Sequence, residues 1–233
     1  MRMIAAFRKD ETLRFIGHLD LMRAIQRALR RSGLPLQYSN GFNPHIRLSF
    51  AAPLSVGVIG LNEMMEVPLT EEVAPGEFIA RMNGVLPHCL RITACMPMDE
   101  KAPSLMALVA GADYRLELPA CPETEKLCAA FEGFMALDAY VALRKTKSGE
   151  NMCDIRPYVI SGDLWKTEGG AVITLRTKAD AGGMLKSTLW LKCLCDYAGV
   201  LVPEGVKYYR VSILTKAPDG TLSPMEEASW LTH

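Results

Sequence analysis

The stretch RFIGHLDLMRAIQRALRRSGLPLQYSNGFNPHIRLSF, residues 14–50, decides how the first part of the chain folds and carries its most unusual chemistry. Its centre predicts an amphipathic helix over residues 19–31, because apolar residues recur at the i, i+3, i+4, i+7 spacing and arginines take the opposite face. Gly33 and Pro35 follow; glycine adopts the left-handed conformation that ends a helix, and proline prevents its continuation. A polar loop then separates two short extended segments.

Outward from this stretch, the hydrophobic periodicity predicts the order strand, helix, strand, strand, helix, strand, and predicts it twice. The predicted elements of the first copy are 1–9, 19–31, 34–38 with 48–52, 62–69, 75–83 and 90–96; those of the second are 113–118, 122–135, 139–144, 171–177, 184–197 and 207–214. This order is the split βαβ arrangement. We therefore predict an α+β protein of two tandem ferredoxin-like lobes with antiparallel sheets, spanning 1–98 and 105–216, and a tail, 217–233, without a clear pattern.

Charge is unevenly distributed although the formal net charge of the chain is zero. Residues 1–60 hold nine basic and three acidic residues, a net charge of +6. Residues 61–100 hold two basic and seven acidic residues, a net charge of −5. Segregation of this kind creates a basic face suited to an anionic partner.

The seven cysteines are scattered and form no CxxC pair. They therefore predict small apolar residues in a reducing compartment, with neither a structural metal nor a cofactor. The apolar run at 3–7 is too short for a secretory signal. No run approaches the roughly 18 apolar residues that a membrane span requires. We expect a cytoplasmic protein that does not enter a membrane.

The first candidate site lies where the first helix begins, at Arg14, Gly17, His18 and Asp20. Free backbone N–H groups and the positive end of the helix dipole favour an anion there, and an arginine can hold that anion with two hydrogen bonds. The dipole also favours a neutral His18, which could then act as a base. The alternative is a histidine that only bonds a loop carbonyl.

The second candidate is the arginine stripe of the first helix, formed by Arg23, Arg27, Arg30 and Arg31. Like charges on one helix face repel each other unless a negative partner answers them. Nucleic acid is such a partner, because each phosphate contact releases counterions. The alternative is a solvated helix surface, paired in part with the acidic residues of 63–77.

The third candidate is the loop of residues 39–45, SNGFNPH, which is longer than a tight hairpin turn requires. The extra length presents Phe42, Asn43 and His45, and Arg47 follows two residues later. RNA-binding surfaces combine stacking aromatics with arginines in this way. The alternative places Phe42 in the core of an ordinary surface loop.

A fourth basic segment contains Lys145 and Lys147 in a predicted hairpin tip and Arg156 after it. These side chains would extend a cationic surface. The alternative is a flexible tip followed by an internal ion pair between Asp154 and Arg156.

The first block reads RF-x-GHLD-x-x-R-x-x-x-RALRR-x-GLPL-x-YS-x-GFNPH-x-R-x-SFA-x-PL-x-VG, residues 14–57, and a second block covers 147–149 and 154–157. Both resemble the radical-S-adenosylmethionine-associated protein family of bacteria, whose module stands alone or is fused behind a radical S-adenosylmethionine enzyme. The chain departs from that family at Asn151-Met152-Cys153, where a more charged segment is expected. The resemblance implies a radical S-adenosylmethionine protein as partner and no particular reaction.

The leading hypothesis is an RNA-binding accessory module that presents tRNA or rRNA to a radical S-adenosylmethionine RNA-modification enzyme. One alternative is a metal-independent endoribonuclease that uses His18 and His45 as acid and base. The expected layout is also similar to proteins that process CRISPR RNA, although fold alone does not fix function. Another alternative is a protein-docking adaptor. We further expect the loop to fold back so that one surface collects His18, Asp20, Arg23, Phe42, Asn43, His45 and Arg47.

Overall fold

The computed structural model describes residues 1–146, 149–180 and 183–228, and it divides the chain into two compact units. The first unit contains Met1–Ala110 and the C-terminal segment that begins at Arg210; the second is Gly111–Tyr209. Across the described residues there are four α-helices and mostly antiparallel strands, so the protein is of mixed α and β structure. The divisions fall near residues 110 and 209, whereas the sequence placed them at 98–105 and 216.

The first unit is built around strand β1, which pairs antiparallel with β3 on one side and β4 on the other. A short strand, β2, pairs with β3. The elements are β1 (Arg2–Lys9), α1 (His18–Arg31), β2 (Ser49–Phe50), β3 (Val58–Pro68), α2 (Pro75–Val85) and β4 (Leu90–Met98). A 3-10 helix, Glu11–Leu13, connects β1 to α1.

Strand alternation supplies the core of the first unit. Met3, Ala5 and Phe7 project to one face of β1, where they pack with the apolar stripe of α1 and with Phe78 of α2. Helix α1 begins one residue earlier than the sequence predicted, because extended Gly17 forms its N-cap. Its predicted end is confirmed: Ser32 is the C-cap and Gly33 has φ +67°.

The second unit places two helices against an antiparallel sheet in which β9 pairs with β5, β8 and β10. Strands β6 and β7 form a separate two-stranded sheet. The elements are β5 (Val109–Pro119), α3 (Pro122–Met135), β6 (Val141–Thr146), β7 (Gly149–Asp154), β8 (Val159–Thr167), β9 (Gly170–Asp180), β10 (Gly183–Met184), α4 (Ser187–Ala198) and β11 (Lys207–Lys216), the last of which crosses into the first unit. Phe134 and Trp190 pack edge to face between the two helices.

Several features differ from the sequence prediction. Strand β8 was not predicted, because Gly162, Asp163 and Lys166 interrupt its alternation and only β9 pairs with it among the described strands. The predicted strand at 139–144 instead belongs to the separate β6–β7 sheet. The tail, which has no periodic pattern, contains strand β12 (Leu222–Pro224) and a 3-10 helix that buries Met225.

Candidate functional site

The loop of residues 39–45 in the first unit is closed at its base and open at its tip. Tyr38 and Ile46 form an isolated antiparallel bridge, and the Ser39 N–H donates to the carbonyl of His45 at 2.8 Å. The Ser39 hydroxyl accepts from the His45 N–H at 3.1 Å and lies 2.8 Å from its Nδ1 atom. Gly41 has φ +121°, which few other residues adopt. The base is therefore ordered by hydrogen bonds that leave the tip uncovered.

Phe42 stands at this tip with its side chain fully exposed, at 112% of the reference area. The alternative in which Phe42 is buried in the core is therefore wrong. An exposed phenyl ring gains nothing from the hydrophobic effect in the isolated protein. Asn43 beside it is also exposed. The ring is available for a partner to cover.

Arg47 lies just beyond the loop and forms no ion pair with any carboxylate in the described part of the chain. Its Nη1 atom donates to the neutral amide oxygen of Gln37 at 2.7 Å, and its backbone N–H donates to the Gln37 carbonyl at 2.9 Å. The guanidinium is thus oriented by a neutral group while remaining exposed. A phosphate could displace the amide without breaking an ion pair.

His18 occupies the first turn of α1 and packs edge-on against Phe50, with ring centroids 5.2 Å apart. The N-cap residue of this helix, Gly17, has no side chain, so no N-cap side chain accepts a hydrogen bond from the backbone N–H groups of the first turn. Burial lowers the pKa of His18 below its usual range; Glu63 opposes the shift and Arg210 adds to it. The imidazole is therefore predominantly neutral at pH 7.

A buried charge cluster that sequence analysis missed lies behind His18 and consists of Lys9, Glu63 and Arg210. Arg210 binds both carboxylate oxygens of Glu63, with Nε donating to Oε1 at 2.7 Å. It also donates to the carbonyls of Ala52 and Pro53. Burial lowers the pKa of Lys9, Glu63 opposes this shift, and Arg210 reinforces it. Lys9 lies two residues after Phe7 and therefore projects to the same buried face of β1. This alternation could have predicted from the sequence that Lys9 is buried.

Lys9 also fixes the segment that leads into α1. Its Nζ atom donates to the carbonyls of Arg14 at 3.3 Å and Ile16 at 3.2 Å, although the residue is only 1% exposed. The Gly57 N–H donates to the same Arg14 carbonyl at 2.7 Å. Arg14 itself pairs with Glu11, and its guanidinium lies 4.7 Å above the ring of Phe15. Hydrogen bonds from Lys9 and Gly57 therefore fix the backbone that leads into α1.

Some arginines of the stripe make hydrogen bonds or ion pairs within the protein, and others do not make any with the described residues. Arg23 pairs with Asp20 at 3.2 Å, and Arg31 donates to the Val85 carbonyl at 3.0 Å. Arg27 and Arg30 are exposed, and neither makes a hydrogen bond or ion pair with another described residue. Among the described residues, no ion pair joins the stripe to the acidic residues of 63–77; three of these pair elsewhere, Glu63 with Arg210, Glu66 with Arg2 and Glu77 with Arg81.

The fourth basic segment lies in the second unit and contributes less than the sequence suggested. Arg156 donates to the carbonyls of Leu137 and Val159, each at 3.0 Å. Asp154 accepts from the backbone N–H groups of Tyr140 and Arg156, so both side chains serve local structure. Lys147 lies outside the described residues, as does the side chain of Lys145.

The predicted residues therefore form two groups in the first unit: the helix start with Arg14, Gly17, His18 and Asp20, and the loop with Phe42, Asn43, His45 and Arg47. No hydrogen bond joins the two histidine rings in the part of the chain that the structure describes. Convergence of both groups on one surface stays a prediction. Across residues 1–146, 149–180 and 183–228 no group of three His, Cys, Asp or Glu side chains is placed to hold a metal ion.

None of the helices within the described ranges is long and apolar enough to cross a membrane. Residues 2–187 match the model of a family described as "Uncharacterized protein conserved in bacteria (DUF2344)". No curated protein matches the chain. The crystal structure of an unknown protein from Galdieria sulphuraria is similar over 89% of this chain and 95% of that chain, with 10% identity and a TM-score of 0.26. A score this low supports no conclusion about fold or activity.

Proposed function

The chain belongs to this bacterial DUF2344 family, and from that premise we propose that it is an RNA-binding accessory module for a radical S-adenosylmethionine RNA-modification enzyme. The observation that carries the proposal is the fully exposed phenyl ring of Phe42 on a loop that hydrogen bonds hold closed at its base. A ring presented in this way suits a nucleobase, because every base has a flat face on which an aromatic side chain can stack.

Charge supports RNA rather than a neutral ligand as the partner. Residues 1–60 carry a net charge of +6, and the cations Arg27, Arg30 and Arg47 are exposed without an ion pair in the described residues. Phosphate contacts by such side chains give sequence-independent affinity, and a base stacked on Phe42 adds to that affinity. The proposed RNA is tRNA or rRNA.

The radical S-adenosylmethionine partner rests on the resemblance of residues 14–57. The cytoplasm is the proposed compartment, supported by seven free cysteines. We also propose that each unit is a ferredoxin-like lobe. The arrangement of β2, β3, β1 and β4 supports this for the first unit, since β1 lies between β3 and β4 as a split βαβ unit requires.

Fluorescence anisotropy with labelled tRNA and rRNA fragments tests the proposal. Binding should weaken steeply between about 50 and about 200 mM salt, because phosphate contacts release counterions. Phe42→Ala should raise the Kd about 5- to 150-fold, the effect of about 1–3 kcal/mol for one stacked base. Leu201→Ala removes an exposed apolar side chain of the second unit and is the control. Undetectable binding at low salt would remove the proposal.

The partner enzyme needs its own measurement. Co-purification from native lysate followed by mass spectrometry should recover a radical S-adenosylmethionine enzyme together with RNA. Recovery of RNA without such an enzyme would leave an RNA-binding protein and exclude the partnership.

The endoribonuclease alternative uses His18 as its base, and burial, which lowers the pKa of His18, keeps the imidazole in the neutral form that such a base requires. Incubation of end-labelled RNA with the protein in excess chelator tests this alternative. Cleavage that is abolished by His18→Ala and by His45→Ala would establish a ribonuclease. Intact RNA under binding conditions excludes it.

A further inference from the structure

Phe15 is presented to solvent by a backbone that a buried lysine holds in place. The carbonyls of Arg14 and Ile16, on either side of Phe15, both accept from the Nζ atom of Lys9. The Phe15 side chain between them is nevertheless 69% exposed. The two hydrogen bonds hold the backbone on both sides of Phe15, and the ring between them stays in solvent, where it gains nothing from the hydrophobic effect.

The guanidinium of Arg14 covers part of this ring, 4.7 Å from its centroid, and it is anchored by Glu11 at 2.5 Å. Leu19, in the first turn of α1, is also exposed. Val56 is exposed too, and the hydrogen bond from Gly57 to the Arg14 carbonyl brings its segment beside the same backbone. These exposed apolar side chains, Phe15, Leu19 and Val56, are called the patch here, and Arg14 places a cation over its aromatic ring.

We infer that Phe15 is a second stacking position for an unpaired base, so the RNA bound by this protein is single-stranded where it contacts the first unit. This inference rests on the proposed function. The chain contains Phe-x-x-His at 15–18 and again at 42–45, and each phenylalanine is exposed and near an arginine in sequence. Bases within a duplex are already stacked on each other, so exposed phenyl rings are useful only to bases that are unpaired.

RNA fits the patch better than a protein partner does. Arginine and aromatic residues are also common at the core of protein interfaces, so charge decides between the two partners. The surrounding segment, residues 1–60, carries a net charge of +6, which attracts a polyanion. Arginine and aromatic side chains together form the platforms on which single-stranded nucleic acid stacks.

Binding of a labelled single-stranded oligoadenylate of about 12 nucleotides to the full chain tests the inference. Phe15→Ala and Phe15→Leu should each raise the Kd about 5- to 150-fold, whereas Phe15→Tyr should restore affinity because it retains the ring. The dependence of the Kd on salt should not change, since stacking releases no counterions. Leu201→Ala is again the control, and thermal unfolding should show that every variant is folded.

The outcomes separate the inference from the function on which it rests. The inference is overturned if Phe15→Ala leaves the Kd unchanged while Phe42→Ala raises it, or if Phe15→Leu retains affinity as an apolar contact would. It is also overturned if an RNA duplex of equal length binds as tightly as the single strand. Failure to bind any RNA would remove the inference and the proposed function together.

Discussion

Arg210 and Glu63 lie 147 positions apart in the sequence and form an ion pair in which each side chain is only 3% exposed. The pair connects the C-terminal segment of the first unit to strand β3. Both charges are removed from water, so their desolvation is offset only because each oxygen of Glu63 has a donor and the guanidinium also reaches two carbonyls. Removal of either side chain takes from the other, which stays buried, both of the charge-assisted hydrogen bonds of this pair.

Glu63→Gln or Arg210→Met should therefore lower the free energy of unfolding by about 3–5 kcal/mol. Urea unfolding followed by circular dichroism measures the change. Arg23→Met is the control; its pair with Asp20 is exposed and should contribute less than about 1 kcal/mol. Equal losses for Arg23→Met and Arg210→Met would contradict this account.

Gly60 makes room for Glu63, because a Cβ atom at position 60 would lie 2.4 Å from the Glu63 Cγ atom. Gly60→Ala should cost about 1–3 kcal/mol through overpacking. Gly84→Ala is a control with the opposite sign: nothing lies within 4 Å of its added methyl group, and alanine in helix α2 should add about 0.5–1 kcal/mol. If Gly60→Ala leaves the free energy of unfolding unchanged, the Glu63 side chain can move aside without cost.

His18 should make stability depend on pH. Its pKa is lowered in the folded protein, so the unfolded chain binds the proton more readily. The associated stability is fully present above the unfolded pKa, about 6.5, and is lost as pH falls through the lower folded pKa. Histidine proton NMR should show a titration below the usual range that His18→Gln removes. Glu63→Gln should lower this pKa further; an upward shift would contradict the assigned contributions.

Lys9→Met should loosen the segment around Phe15, because the Arg14 and Ile16 carbonyls lose a buried donor. The expected cost is about 1–3 kcal/mol, with faster amide exchange around the start of α1. Arg8→Met is the matched control, since Arg8 is exposed and alternates to the opposite face of β1. Hydrogen exchange measured by mass spectrometry compares the two; similar exchange would show that Lys9 does not hold this segment.

Arg27→Gln and Arg30→Gln should reduce the salt dependence of RNA binding, each by about one unit of the slope of log K against log salt for a lost phosphate contact. Arg81→Gln in helix α2 is the control, because that guanidinium pairs with Glu77 and donates to the Gly33 carbonyl. Anisotropy titrations at several salt concentrations measure the slopes. An equal change in the Arg81→Gln variant would mean that total charge, rather than the stripe, determines binding.

The sequence by itself determined the elements whose signal is local. Helix α1 was predictable because its apolar spacing and its glycine stop lie within fifteen residues of each other, and helix α3 was predicted with its observed bounds, Pro122–Met135. The loop of residues 39–45 was also predictable, because its turn-forming residues are consecutive in the sequence. Local periodicity did not predict β8, because this strand is stabilised by pairing with β9 and its own residues do not alternate regularly.

Tertiary structure alone decided which charges are buried together and which aromatics stay outside. Glu63 and Arg210 were separate charged residues in the sequence, and only folding places one against the other. The same folding brings the Lys9 side chain to the carbonyls on either side of Phe15. It also leaves Phe15 and Phe42 exposed, although phenylalanine is usually buried. The physical reason is that burial and ion pairing depend on distances between residues far apart in the chain, whereas periodicity reports only on near neighbours.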